Sequence, residues 1–322
     1  QRERESGPLV PAEEPEEPRH PRTVIVLQQA RSIIARNDSP DVPFSQSINP
    51  YQGCEHGCVY CYARPTHAYL DLSPGLDFET RLFGKANAAE LLRRELARPG
   101  YSCSVIALGA NTDPYQPVER EQRITRGILE VLAEHRHPVG IVTKSALVQR
   151  DIDILSAMAR GNLAHVFLSI TSLDPELSRH MEPRAAAPHR RLETLARLAE
   201  AGIPCGVLFA PVIPFVNDKD LEAVLEAAAG AGARMAGRVV LRLPHEVKTL
   251  FRDWLQQHYP LRAAHVMARI NDLRGGRDYD ARFGRRMSGE GVFSELISRR
   301  FAAACARLGL DAGERFVLDT AA

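Results

Sequence analysis

Short apolar runs alternate with helical patterns from residue 44 to residue 243, and this alternation constrains the fold more than any other feature of the sequence. Each run is bounded by turn residues and followed by a stretch with apolar residues at helical spacing. Strands that alternate with helices in this way form parallel sheets covered by helices. The six strand-like runs are residues 44–48, 104–109, 139–143, 165–170, 205–210 and 238–243. Six units are enough for a partial barrel and too few for a closed barrel of eight.

The chain divides into three parts around this α/β core. Residues 1–23 are rich in proline and charge, a composition that predicts a disordered tail. Residues 24–244 hold the strand–helix units. Residues 245–322 predict a mainly helical C-terminal extension, with an arginine-rich loop at 274–286.

Composition narrows the class of protein. The net charge of the 322 residues is +1, so no strong positive field indicates a nucleic-acid partner. The sequence predicts neither a transmembrane segment nor an export signal, and therefore no membrane partner. Six cysteines in a chain of this length do not make a disulfide scaffold. We therefore expect a cytoplasmic protein with reduced thiols.

Half of the cysteines lie within eight residues, as Cys54, Cys58 and Cys61 in a C-x3-C-x2-C pattern. In a reducing compartment such a cluster favours metal binding or redox chemistry over a disulfide. Three thiolates on one loop can converge on one inorganic site and leave one coordination position open. A zinc site could instead recruit His56 or His67 as the fourth ligand. A chance cluster of buried cysteines is the third interpretation.

Polar loops follow the predicted strands at the edge where ligands bind in parallel α/β proteins. The cysteine loop follows the first strand. The next four loops are N-T-D-P-Y-Q-P, K-S, T-S and P-V-I-P, at residues 111–117, 144–145, 171–172 and 211–214. All five loops are therefore predicted to lie on one face.

The cysteine loop N-P-Y-Q-G-C-E-H-G-C-V-Y-C-Y-A-R, residues 49–64, resembles the cluster loop of the radical S-adenosylmethionine (SAM) superfamily. That loop has the form C-x3-C-x-aromatic-C. Other segments resemble the branch related to spore photoproduct lyase, whose members are often labelled DNA repair photolyases. These segments are residues 72–80, 109–119, 208–214, 242–247 and 274–284, so that the resemblance extends over about residues 25–310.

The resemblance implies an α/β fold, a partial (β/α)6-type barrel with the helical extension. It also implies a [4Fe–4S] cluster on Cys54, Cys58 and Cys61, with SAM on the remaining iron. Such an enzyme cleaves SAM reductively to a 5′-deoxyadenosyl radical, which abstracts hydrogen from a substrate. A low-potential flavodoxin or ferredoxin is the expected electron donor. The substrate is unidentified, with nucleic acid and a photoproduct-lyase-like reaction as candidates.

Nine residues are candidates for contact with SAM. Asn111, Thr112 and Asp113 can each accept a hydrogen bond from its amino group. Lys144 can pair with its carboxylate, as the resemblance also implies. Arg184 can bind the SAM carboxylate or a substrate anion. The remaining candidates are Tyr60 beside the last cysteine, Ser169 and Thr171 after the fourth strand, and Ala210 for packing on adenine. A turn, a surface charge or a helix cap is the alternative role for these side chains.

Two further features leave alternatives open. Cys103, Cys205 and Cys305 are isolated, and a hydrogen-donor role competes with that of a small buried apolar side chain. The 274–286 loop can engage phosphates and bases, or fold back on the barrel with its Arg–Asp pairs satisfied internally. Two other functions remain possible on this reasoning: a metal-stabilised nucleic-acid-binding protein without catalysis, and a cluster-based electron-transfer protein.

Overall fold

The computed structural model describes residues 23–312 and 317–321, so most of the predicted tail at 1–23 lies outside the described residues. The strands are β1 Val24–Gln28, β2 Ile34–Arg36, β3 Gln46–Ile48, β4 Tyr51–Gln52, β5 Arg81–Lys85, β6 Ile106–Leu108, β7 Val139–Thr143, β8 Ala164–Ser169, β9 Cys205–Val212 and β10 Met235–Val240. The α-helices are α1 Leu76–Thr80, α2 Ala88–Leu96, α3 Glu119–Gln122, α4 Ile124–Glu134, α5 Ile152–Arg160, α6 Pro175–Met181, α7 Pro188–Glu200, α8 Leu221–Gly230, α9 Val247–His258, α10 Ala263–Leu273 and α11 Gly291–Leu308. Three 3-10 helices cover Arg64–Leu70, Ala146–Asp151 and Asp218–Asp220.

Six parallel strands form the centre of the fold, in the order β10-β9-β8-β7-β6-β3. β2 adds one antiparallel strand beside β3 at the far edge. All six predicted strands are present, and the predicted partial barrel with helices is confirmed. The last strand, Met235–Val240, begins before the predicted run at 238–243, because its first residues pair with β9 through Met235 and Gly206.

Two local features differ from the prediction. The helical segment 119–136 is divided at Arg123, whose φ of 51° is left-handed. The buried Glu119 carboxylate accepts the Thr125 amide at 3.0 Å, so that a side chain caps the start of α4 in place of a continuous helix. A second sheet, β1-β5-β4, was not predicted. It places β4 directly before Gly53 and the cysteine loop.

The C-terminal region packs on the barrel in two places. α9 and α10 form an apolar cluster with Cys58 and Tyr60, which includes Phe251 and Trp254. α11 covers α8 and contributes Phe301 to the main core between sheet and helices. Among the described residues, none of the helices combines the length and apolarity that crossing a bilayer requires.

The arginine-rich loop joins the two edges of the open barrel. Met287, just after it, accepts the Val240 amide of β10 at 2.8 Å. At the other edge Asp41, between β2 and β3, accepts hydrogen bonds from the Gly284 amide and the Arg286 guanidinium. Buried Arg274 donates to the carbonyl of Val240 in β10 and to that of Arg285 in the loop itself. The loop therefore folds back across the gap that the sheet leaves open.

Candidate active site

The three clustered cysteines lie on one loop that follows β3 and β4, at the carboxyl edge of the parallel sheet. Cys54 and Cys58 are 6% and 7% exposed, and all three thiols are free. Cys61 packs against the apolar clusters that contain the other two. Burial raises the pKa of the Cys58 and Cys61 thiols, and neighbouring thiols of the trio raise it further. Three soft ligands therefore lie on one largely buried loop, and within residues 23–312 and 317–321 no group of three ligating side chains is already arranged to hold a metal ion.

Backbone hydrogen bonds fix the cysteine loop on several elements. The Cys54 amide donates to Phe78 O at 2.8 Å, and the Val59 amide donates to Met181 O at 3.0 Å. Gln116 contacts both neighbours of Cys54, because its side-chain amide donates to Gly53 O and its oxygen accepts the Glu55 amide. The loop is therefore held by the β6 loop, α1 and the end of α6.

Two arginines and one glutamate clamp the back of the loop, and we call Arg64, Arg184 and Glu79 the arginine clamp. Arg64 donates to Cys58 O and Gly57 O, each at 3.0 Å, and pairs with Glu79. Arg184 donates to Glu55 O and pairs with the other oxygen of Glu79. Gly57 has a φ of +66°, and a Cβ there would lie 2.2 Å from the Arg184 guanidinium. Only glycine fits this turn without displacing the clamp.

Asp113 connects the cysteine loop to the strand edge. Its carboxylate accepts hydrogen bonds from the Thr143 hydroxyl at 2.7 Å and the Lys144 amide at 2.8 Å. His56 Nδ1 lies 3.3 Å from the same group. Burial alone would raise the pKa of the Asp113 carboxyl, but these partners lower that pKa to about 2. Burial would lower the pKa of His56, but Asp113 and Cys54 raise it well above the usual value.

A buried carboxylate, Glu182, organises the polar side chains beside Cys58. It accepts hydrogen bonds from the Tyr60 hydroxyl, the Thr171 hydroxyl at 3.1 Å and the Arg191 guanidinium. Glu182 and Arg191 are 0% and 1% exposed. Burial would raise the pKa of Glu182, but the positive charges of Arg191 and Lys144 hold that pKa below its ordinary value. The carboxylate therefore stays ionised inside the barrel.

Lys144 lies at the centre of this edge. Its ammonium group donates to Ser169 Oγ at 2.8 Å, is 4.0 Å from Glu182 Oε1 and lies 5.8 Å from the centre of the Tyr60 ring. Ser169 Oγ in turn donates to Ala210 O at 3.3 Å. Lys144, just after β7, thus forms one hydrogen-bonded line with Ser169 of β8 and Ala210 of β9.

The structure brings most of the predicted SAM contacts together around Lys144. Tyr60, Thr171, Ser169 and Ala210 belong to the same network. Asn111 lies partly buried in the β6 loop. The contact of each with SAM stays a prediction.

Three predicted contacts have structural partners already. The Thr112 hydroxyl donates to Tyr51 O at 2.8 Å. Both carboxylate oxygens of Asp113 accept hydrogen bonds, and Arg184 belongs to the arginine clamp. In this structure these side chains hold the loops that surround the site.

The sequence analysis missed Glu182, Arg191 and the clamp partners Arg64 and Glu79. One signal was present: Arg191, Thr194, Leu195 and Leu198 follow the spacing of the buried face of α7, so a charge falls on an apolar stripe. Such a charge requires a partner. No sequence signal identifies Glu182 as that partner.

The isolated cysteines lie away from this edge or outside the barrel wall. Cys205 is the first residue of β9, at the strand end opposite to Ala210, and Cys305 lies in α11. Cys103 precedes β6. Their positions favour the role of small apolar side chains.

The cysteines fit an iron–sulfur cluster as ligands. Thiolate sulfur is a ligand for such clusters, and buried thiols lose their protons when metal compensates the charge. The imidazole of His67 contacts Arg81 O at 2.9 Å, and His56 faces Asp113. Among the described residues His67 Nδ1 is buried without a hydrogen-bond partner, and a ring nitrogen held by an oxygen is usual in an imidazole that binds zinc through its other nitrogen, so these contacts do not decide against the zinc alternative.

Comparisons with known proteins agree with this geometry. The profile of the radical SAM superfamily matches residues 48–228. An uncharacterized protein of Mycobacterium tuberculosis (strain ATCC 25618 / H37Rv) is 39% identical over 221 residues, which are 68% of this chain and 65% of that protein. The chain thus spans less than two thirds of that relative. An uncharacterized protein of Methanocaldococcus jannaschii is 29% identical over 171 residues, 53% of this chain and 61% of that protein.

The fold is similar to that of spore photoproduct lyase. The structure of that enzyme complexed with dinucleoside spore photoproduct has a TM-score of 0.64 at 16% identity, and the match covers 89% of this chain and 81% of that one. A mutant of the same enzyme with bound AdoMet gives a TM-score of 0.63. At this identity the likeness shows the fold alone. The profile covers more than half of the residues, and the chain therefore belongs to the radical SAM superfamily.

Proposed function

We propose that this protein is an enzyme that binds a [4Fe–4S] cluster through Cys54, Cys58 and Cys61 and cleaves SAM reductively. One observation carries the proposal: three free thiols share one loop at the carboxyl edge of the parallel sheet, beside the network of Lys144 and Glu182. The bound cofactors supply an electron to the sulfonium and release a 5′-deoxyadenosyl radical that takes hydrogen from the substrate. The protein has to bind, orient and shield them.

The side chains around the cysteines suit these tasks. Lys144 offers a compact cation for the carboxylate of SAM, and Ser169 and Glu182 hold that cation in place. The Tyr60 ring and α9 exclude water on the side of Cys58. The arginine clamp keeps the loop carbonyls occupied, so the loop is organised before the cluster binds.

The direct test is SAM cleavage. The protein is purified without oxygen, reconstituted with iron and sulfide, reduced with dithionite and mixed with SAM. We expect 5′-deoxyadenosine and methionine from the wild type and from Cys205→Ala, and neither from Cys58→Ala. A fully loaded and reduced cluster that leaves SAM intact would contradict the enzyme and support electron transfer, whereas a colourless protein with stoichiometric zinc would support the binding protein.

The substrate and the reaction on it are proposed from the likeness of fold. A solved structure of spore photoproduct lyase contains a dinucleoside photoproduct, and this likeness of fold supports a nucleic-acid substrate and lyase-like chemistry as candidates. The arginine-rich loop does not add to that support. Its Arg282, Arg285 and Arg286 pair with Asp280, Glu290 and Asp41. A flavodoxin or ferredoxin donor and a reducing, cytoplasmic location stay predictions.

A further inference from the structure

Arg242 follows β10 and lies where the two edges of the open barrel approach each other. Its guanidinium carbon is 4.7 Å from the centre of the Tyr62 ring, and Tyr62 is the neighbour of Cys61. The Tyr62 hydroxyl donates to Ala110 O in the β6 loop. Tyr62 therefore spans from the β6 loop to the β10 loop. Arg242 borders the opening of the barrel next to the cysteine loop.

Several other cations along this edge pair with carboxylates, while buried Arg274 donates to backbone carbonyls. Lys144 lies 4.0 Å from Glu182, Arg184 pairs with Glu79, and three arginines of the overlying loop have acidic partners. Within residues 23–312 and 317–321, Arg242 forms no ion pair; its Nη1 contacts only the Met287 sulfur at 3.7 Å. Its Nε is buried and has no hydrogen-bond partner. A guanidinium left in this state is ready to accept an anion.

Electrostatics around Arg242 point the same way. Burial lowers the pKa of Arg274 to about 10, and the positive charge of Arg242 lowers it further, so the two guanidiniums lie close enough to repel each other. The nearby carboxylate of Asp41 is occupied by the Gly284 amide and Arg286. Stacking on the Tyr62 ring leaves the in-plane donors of Arg242 directed sideways, which is the geometry for bidentate binding of an oxyanion.

We propose that Arg242, stacked on Tyr62, is the subsite for an oxyanion of the substrate, a phosphate ester or a carboxylate. The inference rests on the proposed function and gives its substrate an acidic group. The SAM carboxylate has its own cation in Lys144, three strands away in the sheet order. A substrate held at Arg242 would reach the cluster past Tyr62, since Tyr62 adjoins Cys61.

The test is calorimetric binding to the reconstituted protein with three probes: phenyl phosphate, phenylacetate and uncharged benzyl alcohol. We expect the wild type to bind one or both oxyanions and to bind benzyl alcohol at least about tenfold more weakly. Arg242→Gln should lose about tenfold or more of the oxyanion affinity. The preferred probe distinguishes phosphate from carboxylate. Arg285→Gln is the matched control, because it removes the same charge from an arginine that is paired with Glu290.

Each contrary result overturns the subsite. The subsite is refuted if the wild type binds charged and uncharged probes equally. It is also refuted if Arg242→Gln keeps the oxyanion affinity of the wild type. If Arg285→Gln loses as much oxyanion affinity as Arg242→Gln, the effect is one of total charge and the subsite is refuted. A tenfold loss of SAM affinity in Arg242→Gln would make Arg242 a SAM ligand. SAM cleavage by the wild type is measured separately, so failure of the proposed function leaves the probe result interpretable.

Discussion

Replacement of Glu182 by glutamine tests whether the buried network stabilises the site. The change keeps the size of the side chain and removes its charge. Arg191 is 1% exposed, so water cannot replace the lost carboxylate. Its other donors stay satisfied, since Nε donates to Ala186 O and Nη1 to Ser169 O, each at 2.7 Å. The loss is therefore that of one partner of a buried ion pair, which costs about 3–5 kcal/mol.

The assay is urea unfolding of the metal-free protein, compared with the wild type at one pH. Glu134→Gln is the control, because Glu134 also pairs with an arginine, Arg93, while the two side chains are 51% and 49% exposed. An exposed pair of this kind contributes about 0–1 kcal/mol. If Glu182→Gln lowers the free energy of unfolding by no more than Glu134→Gln does, the network does not hold the site as argued.

Three further outcomes are expected. Cys58→Ala should lose the visible absorbance of the reconstituted cluster, with Cys205→Ala unaffected; retention of full absorbance by Cys58→Ala would refute the ligand assignment. Gly57→Ala should destabilise the metal-free protein by more than about 1 kcal/mol and lower its iron content, because the added methyl meets the Arg184 guanidinium and the φ is positive; wild-type values for both would contradict the clamp. The low pKa of Asp113, about 2 against 3.8, stabilises the fold above pH 3.8 and less as the pH falls towards 2. The difference in unfolding free energy between wild type and Asp113→Asn should therefore narrow by about 1 kcal/mol from about pH 5 to about pH 3, and a constant difference would refute that pKa.

Local patterns in the sequence were enough for the core of the fold. Apolar runs that alternate with helical spacing identified the six parallel strands, since a strand buried on both faces has to be apolar along its length. The same patterns placed the cysteine loop and Lys144 at one edge. They missed the sheet β1-β5-β4, because β1, although it carries the apolar run V-I-V-L, is followed by another strand and no helix, and β4 has only two residues. The break at Arg123 was missed because no glycine or proline marks it; the chain turns at an arginine in the left-handed region, and the Glu119 side chain caps the start of α4.

By itself the sequence determined the three thiols, their spacing and the strand edge that carries them, because ligands on one short loop and periodicity along one strand are local properties of the chain. Only the tertiary structure decided which charges compensate each other. It paired Glu182 with Arg191 and Glu79 with Arg64 and Arg184, closed the arginine-rich loop on Asp41, and among the described residues left Arg242 without an ion pair. Such pairings depend on which side chains meet after the chain has folded, and burial then makes each of them necessary.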